Sequence, residues 1–320
     1  MLHLSSPMQT HMKHILSITD LSSDDIWEII QLAIKLKKEY KTTGKNTPVF
    51  QNKTLVMLFE KPSLRTRMGF SIAMHQLGGN SLYLGQNDIG FGARESIADS
   101  AKVIASMADF LVARTFAHKT LESLAEFSTI PVINGLSDLE HPCQILADFL
   151  TIFEVKQKLS GLTICYLGDG ENNVAHSLAL GCATMGINFT CGSPKGYTLN
   201  ENIVKQAKQI AKKTQATFLE TEDPKIAIKN ADAVVTDTWV SMGDEKEQAK
   251  RVKIFRPYQV YTKLMKRAKK NAIFMHCMPV HRDDEVTSEI VDGKQSVIFN
   301  EAENRLHVQK ALLVWLAKQA

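Results

Sequence analysis

The sequence is poor in the features that would place it outside the ordinary run of globular proteins. No apolar run among its 320 residues approaches the ~20 needed to span a bilayer, and its N-terminus lacks the apolar stretch of a secretory signal. A mitochondrial transit peptide is rich in arginine, yet no arginine precedes Arg65. The expectation is a cytoplasmic protein without membrane contact. The five cysteines, Cys143, Cys165, Cys182, Cys191 and Cys277, are odd in number and include no C-x-x-C pair, so neither a disulfide framework nor a zinc site is indicated. No metal and no cofactor is expected, and any cysteine with a role acts alone. Charge of one sign is not in excess either. Thirty-eight Lys plus Arg against 34 Asp plus Glu leave a diffuse +4, which does not imply nucleic acid and suits a small anionic substrate equally well. With 44% hydrophobic and 22% charged residues the chain is globular, and its length suggests about two domains of ~150 residues.

What is present alternates between strand-like and helical segments, the pattern of an α/β fold whose parallel sheets are covered by helices on both faces. Ser22 to Asp25 reads as a helix start, with Ile26, Ile29, Ile30, Ala33 and Leu36 following at helical spacing. An apolar strand, Thr54 to Phe59, leads through the polar turn Glu60 to Arg67 into a helix that stops at Gly78-Gly79. Strands are expected at Phe110 to Ala113 and Ile130 to Ile133, then a helix from Pro142 to about Val155. Lys156 to Gly161 is the expected boundary between a domain 1–155 and a domain 156–320. Beyond it, strands are expected at Leu162 to Leu167, Ile187 to Cys191, Ala231 to Thr236, Ala272 to Met275 and Ser296 to Phe299, and a final helix at Ala302 to Leu316.

Ligands of open α/β sheets bind beyond the carboxyl ends of the strands, so the strand-to-helix turns carry the functional signal. Ser63-Leu64-Arg65-Thr66-Arg67 joins helix-start N–H groups, two hydroxyls and two guanidiniums, which suits a phosphate-like dianion; a capped helix with two solvated arginines is the plain alternative. Arg114 follows a strand, where it is either a ligand or an edge ion pair. His141-Pro142-Cys143-Gln144 sets His and Gln three apart at a helix start, facing one ligand or merely ending a loop. Gly168-Asp169-Gly170-Glu171-Asn172-Asn173 lacks G-x-G-x-x-G, which discounts a nicotinamide dinucleotide. Asp237 opens Asp-Thr-Trp-Val-Ser-Met-Gly, where its carboxylate suits a cationic amino group or caps the next helix. Cys277, in His276-Cys277-Met278-Pro279, is a candidate against the commoner role of a small buried apolar residue.

Taken in order, Ser-Leu-Arg-Thr-Arg (63–67), His-Pro-Cys-Gln (141–144), Asp-Thr-Trp-Val-Ser-Met-Gly (237–243), His-Cys-Met-Pro (276–279) and Ala-Glu-Asn-Arg (302–305) closely resemble the signatures of the ornithine carbamoyltransferases, over about Ile15 to Leu316. The resemblance implies two domains, each a mainly parallel sheet flanked by helices, with the C-terminal helix packing back on the first. The first domain would bind carbamoyl phosphate and the second L-ornithine, giving L-citrulline and phosphate. Carried over by motif, Ser63, Leu64, Arg65, Thr66, Arg114, His141, Gln144, Cys277, Met278 and Arg305 would contact carbamoyl phosphate, and Asn173, Asp237, Ser241 and Met242 would contact ornithine. Arg65, Arg114, His141, Asp237 and Cys277 would be catalytic. The resemblance also implies a homotrimer or an assembly of trimers. Gly90 stands where many members carry a Gln that reaches a neighbouring subunit's site. Rival readings are another acceptor, such as putrescine, or a binding protein that keeps the fold without turnover.

Overall fold

The computed structural model describes residues 13–89, 95–240 and 245–319. Among them, nine strands form two all-parallel sheets. The first contains β1 (Thr54–Phe59), β2 (Asn80–Leu84), β3 (Phe110–Arg114) and β4 (Val132–Leu136), in the order β2-β1-β3-β4. The second contains β5 (Thr163–Leu167), β6 (Asn188–Gly192), β7 (Phe218–Thr221), β8 (Ala233–Thr236) and β9 (Ile273–His276), in the order β7-β6-β5-β8-β9. Central strands are buried on both faces, as Leu55, Val56, Met57, Leu58 and Phe59 of β1 and Ala233, Val234, Val235 and Thr236 of β8 illustrate.

Each sheet reverses its winding once. Chain order runs outward from β1 to β2 and then back past β1 to β3; it runs from β5 to β7 and then back to β8. A crevice opens at such a reversal because the two flanking turns diverge to opposite faces. The turns after β1 and β3 therefore define one crevice, and those after β5 and β8 define another. Register does the rest: Phe59 pairs with Arg114, Leu167 with Thr236, and Thr236 with His276, so Asp237 and Cys277 emerge side by side.

Helices cover the outer faces and join the sheets. The Ser23–Thr43 helix begins at Ser22, whose hydroxyl accepts from Asp25 N while the Asp25 carboxylate accepts from Ser22 N, and ends at Gly44 in the left-handed region (φ 72°). The Pro142–Lys156 helix, with Pro at its first position, is buried on nearly all sides because it lies between the sheets and contributes to a core continuous through both. Separate apolar clusters fill the far face of each sheet.

The last helix, Ile298–Leu316, packs against the Leu64–Gln76, Pro142–Lys156 and Ser23–Thr43 helices, so the C-terminal helix returns to the first sheet. Its approach is close: a Cβ at Gly69 would collide with the Gln309 side chain. The helix begins at Ile298, ahead of the expected Ala302, and the expected strand at Ser296 to Phe299 reduces to one isolated bridge between Ser296 and Phe274. Ser296-Val-Ile-Phe299 is a short apolar run whose periodicity does not separate strand from buried helix start. The edge strands β2 and β7 were not expected. They are short and half exposed, so they lack the apolar signature of the inner strands.

Candidate active site

The crevices of the two sheets open into one cavity of about 610 Å³. Its wall contains twelve of the fourteen residues singled out in the sequence: Ser63, Leu64, Arg65, Thr66, Arg114, His141, Gln144, Asn173, Asp237, Cys277, Met278 and Arg305. Ser241 and Met242, like Gly90, lie outside the described residues.

On the first sheet's side, Ser63 caps the Leu64–Gln76 helix by accepting from Thr66 N at 3.3 Å. The N–H groups of Leu64 and Arg65 have no acceptor within the helix, which is the ordinary condition of a first turn and gives it affinity for an anion. Leu64 itself is 67% exposed at the rim, so only its backbone can serve a ligand. Of the two arginines in the turn, Arg65 lines the cavity and bonds the Met278 carbonyl, whereas Arg67 stacks on the Tyr83 ring at 3.8 Å. Arg67 is therefore no part of the anion site.

Arg114 ends β3 rather than following it; it is buried and, among the described residues, forms no ion pair. Burial, reinforced by the neighbouring Arg305 and Arg65 charges, pushes its guanidinium down to about 10. Arg305 donates to Gln144 Oε1 and, at 3.0 Å, to Thr66 Oγ1. Because Thr66 Oγ1 accepts that bond, its own proton is free to be donated into the cavity. His141 precedes the Pro142–Lys156 helix with its backbone N–H on Ser177 Oγ at 2.8 Å. Its ring is held well below the usual imidazole range by burial and then by Arg305, Arg114 and Arg65, so it is neutral. Arg114 Nε, Arg305 Nε and His141 Nδ1 are buried without a hydrogen-bond partner among the described residues. Such atoms are costly unless a ligand answers them.

The opposite wall carries a carboxylate and a thiol. Asp237 Oδ1 accepts from Thr238 N (2.8 Å) and from Cys277 Sγ (3.1 Å), and its Oδ2 accepts from Asn172 Nδ2 (2.9 Å). Asp237 is thus no helix cap. Burial and the adjacent Asp237 charge push the Cys277 thiol well above its ordinary value, so it is protonated and donates to Asp237. The turn beyond it is tightly held. Met278 adopts φ 60°, its N–H donates to His276 Nδ1 at 2.8 Å, and its carbonyl receives Arg65. Since His276 Nδ1 accepts, Nε2 carries the proton and donates to buried Glu285 at 3.1 Å.

The sequence reading missed the residues behind this wall. Asn172, not Asn173, pairs with Asp237, while Asn173 Nδ2 donates to the Ser137 carbonyl. Asn172 carried a signal as the helix N-cap, accepting from Val174 N at 2.7 Å, but nothing local pointed it at Asp237. Arg251 ties the acceptor side together: its Nε donates to Trp239 O at 2.6 Å and its Nη2 pairs with buried Asp169. Asp237, His276 and Cys277 bring ligand atoms within 4.8 Å of one another, but two of those atoms are committed to each other and His276 Nδ1 to a backbone N–H.

Comparison with known proteins agrees with this architecture. The family described as "Aspartate/ornithine carbamoyltransferase, carbamoyl-P binding domain" matches residues 13–154, and its "Asp/Orn binding domain" counterpart matches residues 160–316. The ornithine carbamoyltransferase of Methanosarcina acetivorans is 49% identical over 96% of this chain and 99% of its own, and that of Anoxybacillus flavithermus is 48% identical over 98% and 100%. Among solved structures, the enzyme of that name from Pyrococcus furiosus superposes with a TM-score of 0.91 at 45% identity, covering 95% of this chain and 96% of its own. The anabolic ornithine carbamoyltransferase of Campylobacter jejuni gives 0.91 at 40%, covering 97% and 100%. With both family patterns matched in order and relatives this similar along nearly the whole length, the chain belongs to the aspartate/ornithine carbamoyltransferase family.

Proposed function

We propose that the protein transfers the carbamoyl group of carbamoyl phosphate to the δ-amino group of L-ornithine, giving L-citrulline and phosphate. The observation that carries this reading is the polarity of the cavity: three guanidiniums, Arg65, Arg114 and Arg305, on one side and the Asp237–Cys277 pair on the other. A dianionic donor suits the first wall and a cationic diamino acid the second. Aspartate, the other acceptor in the family's name, would bring its carboxylate toward Asp237 and be repelled.

In the reaction the δ-nitrogen attacks the carbamoyl carbon, the C–O bond to phosphate breaks, and the phosphate departs with the proton the nitrogen gives up. The Arg65 side chain, Ser63 and the N–H groups of Leu64 and Arg65 hold the phosphate. The Thr66 hydroxyl, Arg114 and the neutral His141 ring donate to the carbamoyl oxygen, where negative charge develops. Gln144 Oε1 has a second lone pair beyond the one Arg305 uses and takes the carbamoyl NH₂. Met278, whose carbonyl receives Arg65, contacts carbamoyl phosphate from the opposite wall. An alkylammonium ordinarily titrates near ~10.4, so the δ-amine enters charged, gives one proton to solvent before attack, and after attack gives the second to the departing phosphate. A protonated Cys277 is not a thiolate base; with Asp237 it positions the amine, and Asn173, Ser241 and Met242 hold the amino-acid end.

In this reading the protein works in the cytoplasm, in arginine synthesis or, because catalysis accelerates both directions, in arginine breakdown. It forms a homotrimer or an assembly of trimers. Exposed apolar side chains Leu64, Met68, Leu82, Val103 and Met107, all on elements of the first sheet's half, support subunit contact there. No helix among the described residues is long and apolar enough to cross a membrane. The test is a comparison of ornithine, putrescine and aspartate as acceptors with carbamoyl phosphate, with citrulline and orthophosphate measured. Turnover of putrescine in preference to ornithine overturns the acceptor, and calorimetric binding of carbamoyl phosphate without turnover of any amine overturns the enzyme.

A further inference from the structure

Behind Gln144 lies a feature that the mechanism does not use. Asp148, one helical turn further along, and Glu301, on the last helix, are both fully buried. The Gln144 amide nitrogen donates to both of them, to Asp148 Oδ1 at 2.8 Å and to Glu301 Oε1 at 3.0 Å. The other oxygen of Glu301 accepts from His276 N at 2.9 Å, the residue before Cys277. Asp148 Oδ2 is buried with no hydrogen-bond partner among the described residues, and the shared Gln144 nitrogen brings the two carboxyls together. Two carboxyl groups in contact away from water do not both ionise; one proton bridges them.

An amide side chain has nearly the same shape whichever end carries the oxygen, so only its neighbours orient it. Here both ends are determined. Carboxyl acceptors face the nitrogen, and the Arg305 guanidinium, a donor, faces the oxygen. We propose that Asp148 and Glu301 form a single-proton carboxyl pair that locks the Gln144 amide with its oxygen toward the carbamoyl-binding cavity, making both of them positioning residues for recognition of the carbamoyl NH₂. The inference rests on the carbamoyl phosphate reading above. Burial supports the shared proton: it raises Asp148 to about 7 and Glu301 well above the usual carboxylate range, with the neighbouring carboxyl adding to the rise for Glu301. The Arg305 charge opposes the rise in both carboxyls, and burial outweighs it.

Acetyl phosphate, which carries a methyl group where carbamoyl phosphate has NH₂, provides the test. The measured quantity is the ratio of the two binding constants, and the wild type is expected to favour carbamoyl phosphate. In the double variant Asp148→Asn/Glu301→Gln both partners of Gln144 can donate as well as accept. The amide is then free to turn, and the preference falls about tenfold, the scale of one hydrogen bond. Each single variant keeps one carboxyl facing the amide and holds the ratio within about threefold. Gln144→Ala lowers the ratio like the double variant, and combining all three changes adds nothing. Infrared difference spectra at about pH 8 do not depend on the double variant folding: wild type minus Glu301→Gln should show the C=O band of a buried protonated carboxyl. An unchanged ratio in the double variant, equal weakening of both ligands in every variant, or the lack of that band overturns the proposal. A wild type indifferent to the NH₂ group overturns the carbamoyl phosphate reading itself.

Discussion

The carboxyl edges of the two sheets are built alike and charged oppositely. At or beyond the ends of β1, β3 and β4 stand Arg65, Arg114 and the neutral His141; beyond β5, β8 and β9 stand Asn172, Asp237 and Cys277. On the first edge neither Arg65 nor Arg114 forms an ion pair among the described residues; Arg65 bonds a backbone carbonyl instead. The Asp148–Glu301 pair behind this edge is linked to the cavity through Gln144, whose oxygen takes Arg305. The second edge does the reverse, spending three donors on Asp237 to hold one carboxylate in place. A common topology thus supplies two crevices, and the residues at the strands' carboxyl ends and in the turns that follow decide which ligand each crevice takes.

The largest expected effect falls on the first edge. Arg114→Ala removes a donor from the site of developing negative charge and should lower kcat by about 10³, at the upper end of losses for one oxyanion donor, with ornithine KM little changed. Steady-state kinetics with each substrate varied measures both. A loss confined to ornithine KM would break the division between the edges. The next effect falls on the second edge. Asp237→Asn keeps the shape but removes the charge, and kcat/KM for ornithine should fall by about 10² while carbamoyl phosphate binding by calorimetry stays within about threefold. Comparable damage to both ligands would show that the carboxylate belongs to the cavity as a whole.

The same contrast explains what was legible in the sequence. Residues at or shortly past the end of an apolar strand announce themselves, because strand, turn and helix start are local patterns; Ser63, Arg65, Arg114, Asp237 and Cys277 were all found this way. Partners that meet only through packing left no such trace. Asn172 reaches Asp237 across 65 positions, and Glu301 reaches Gln144 across 157. Arg67 looked equivalent to Arg65 in the turn, yet two positions of helix rotate it onto Tyr83. The strand order, which creates both crevices, follows from which sheet edge each crossover chooses, and alternation alone does not encode that choice.

A smaller effect sharpens the second edge. Cys277→Ser retains a donor for Asp237 but shortens the reach and replaces a soft sulfur with a hydroxyl, so kcat should fall about tenfold with carbamoyl phosphate affinity unchanged. The pH–rate profile should keep its form, since the thiol is already protonated and does not supply a titrating base. Unchanged turnover would remove Cys277 from the site and leave Asp237 alone opposite the cations.

The smallest effect concerns the element that belongs to both edges. The last helix follows the second sheet in sequence but packs on the first sheet's helices, and His307 is buried within that contact. Burial first, then the charges of Lys310 and Lys37, outweigh Glu303 and lower His307 from 6.5 to about 4. The unfolded chain therefore takes up a proton on this ring as pH falls through about 6.5, whereas the folded chain does so only near 4. Stability contributed by the neutral ring is present at pH 7 and is lost across that window, by about 1 kcal/mol at pH 5.5. His307→Gln, which cannot titrate, should show a correspondingly smaller drop in urea midpoint between pH 7 and pH 5.5 than the wild type. Equal drops in the two proteins would mean that the ring titrates as freely in the fold as outside it, and that the seam joining the two edges does not depend on keeping it neutral.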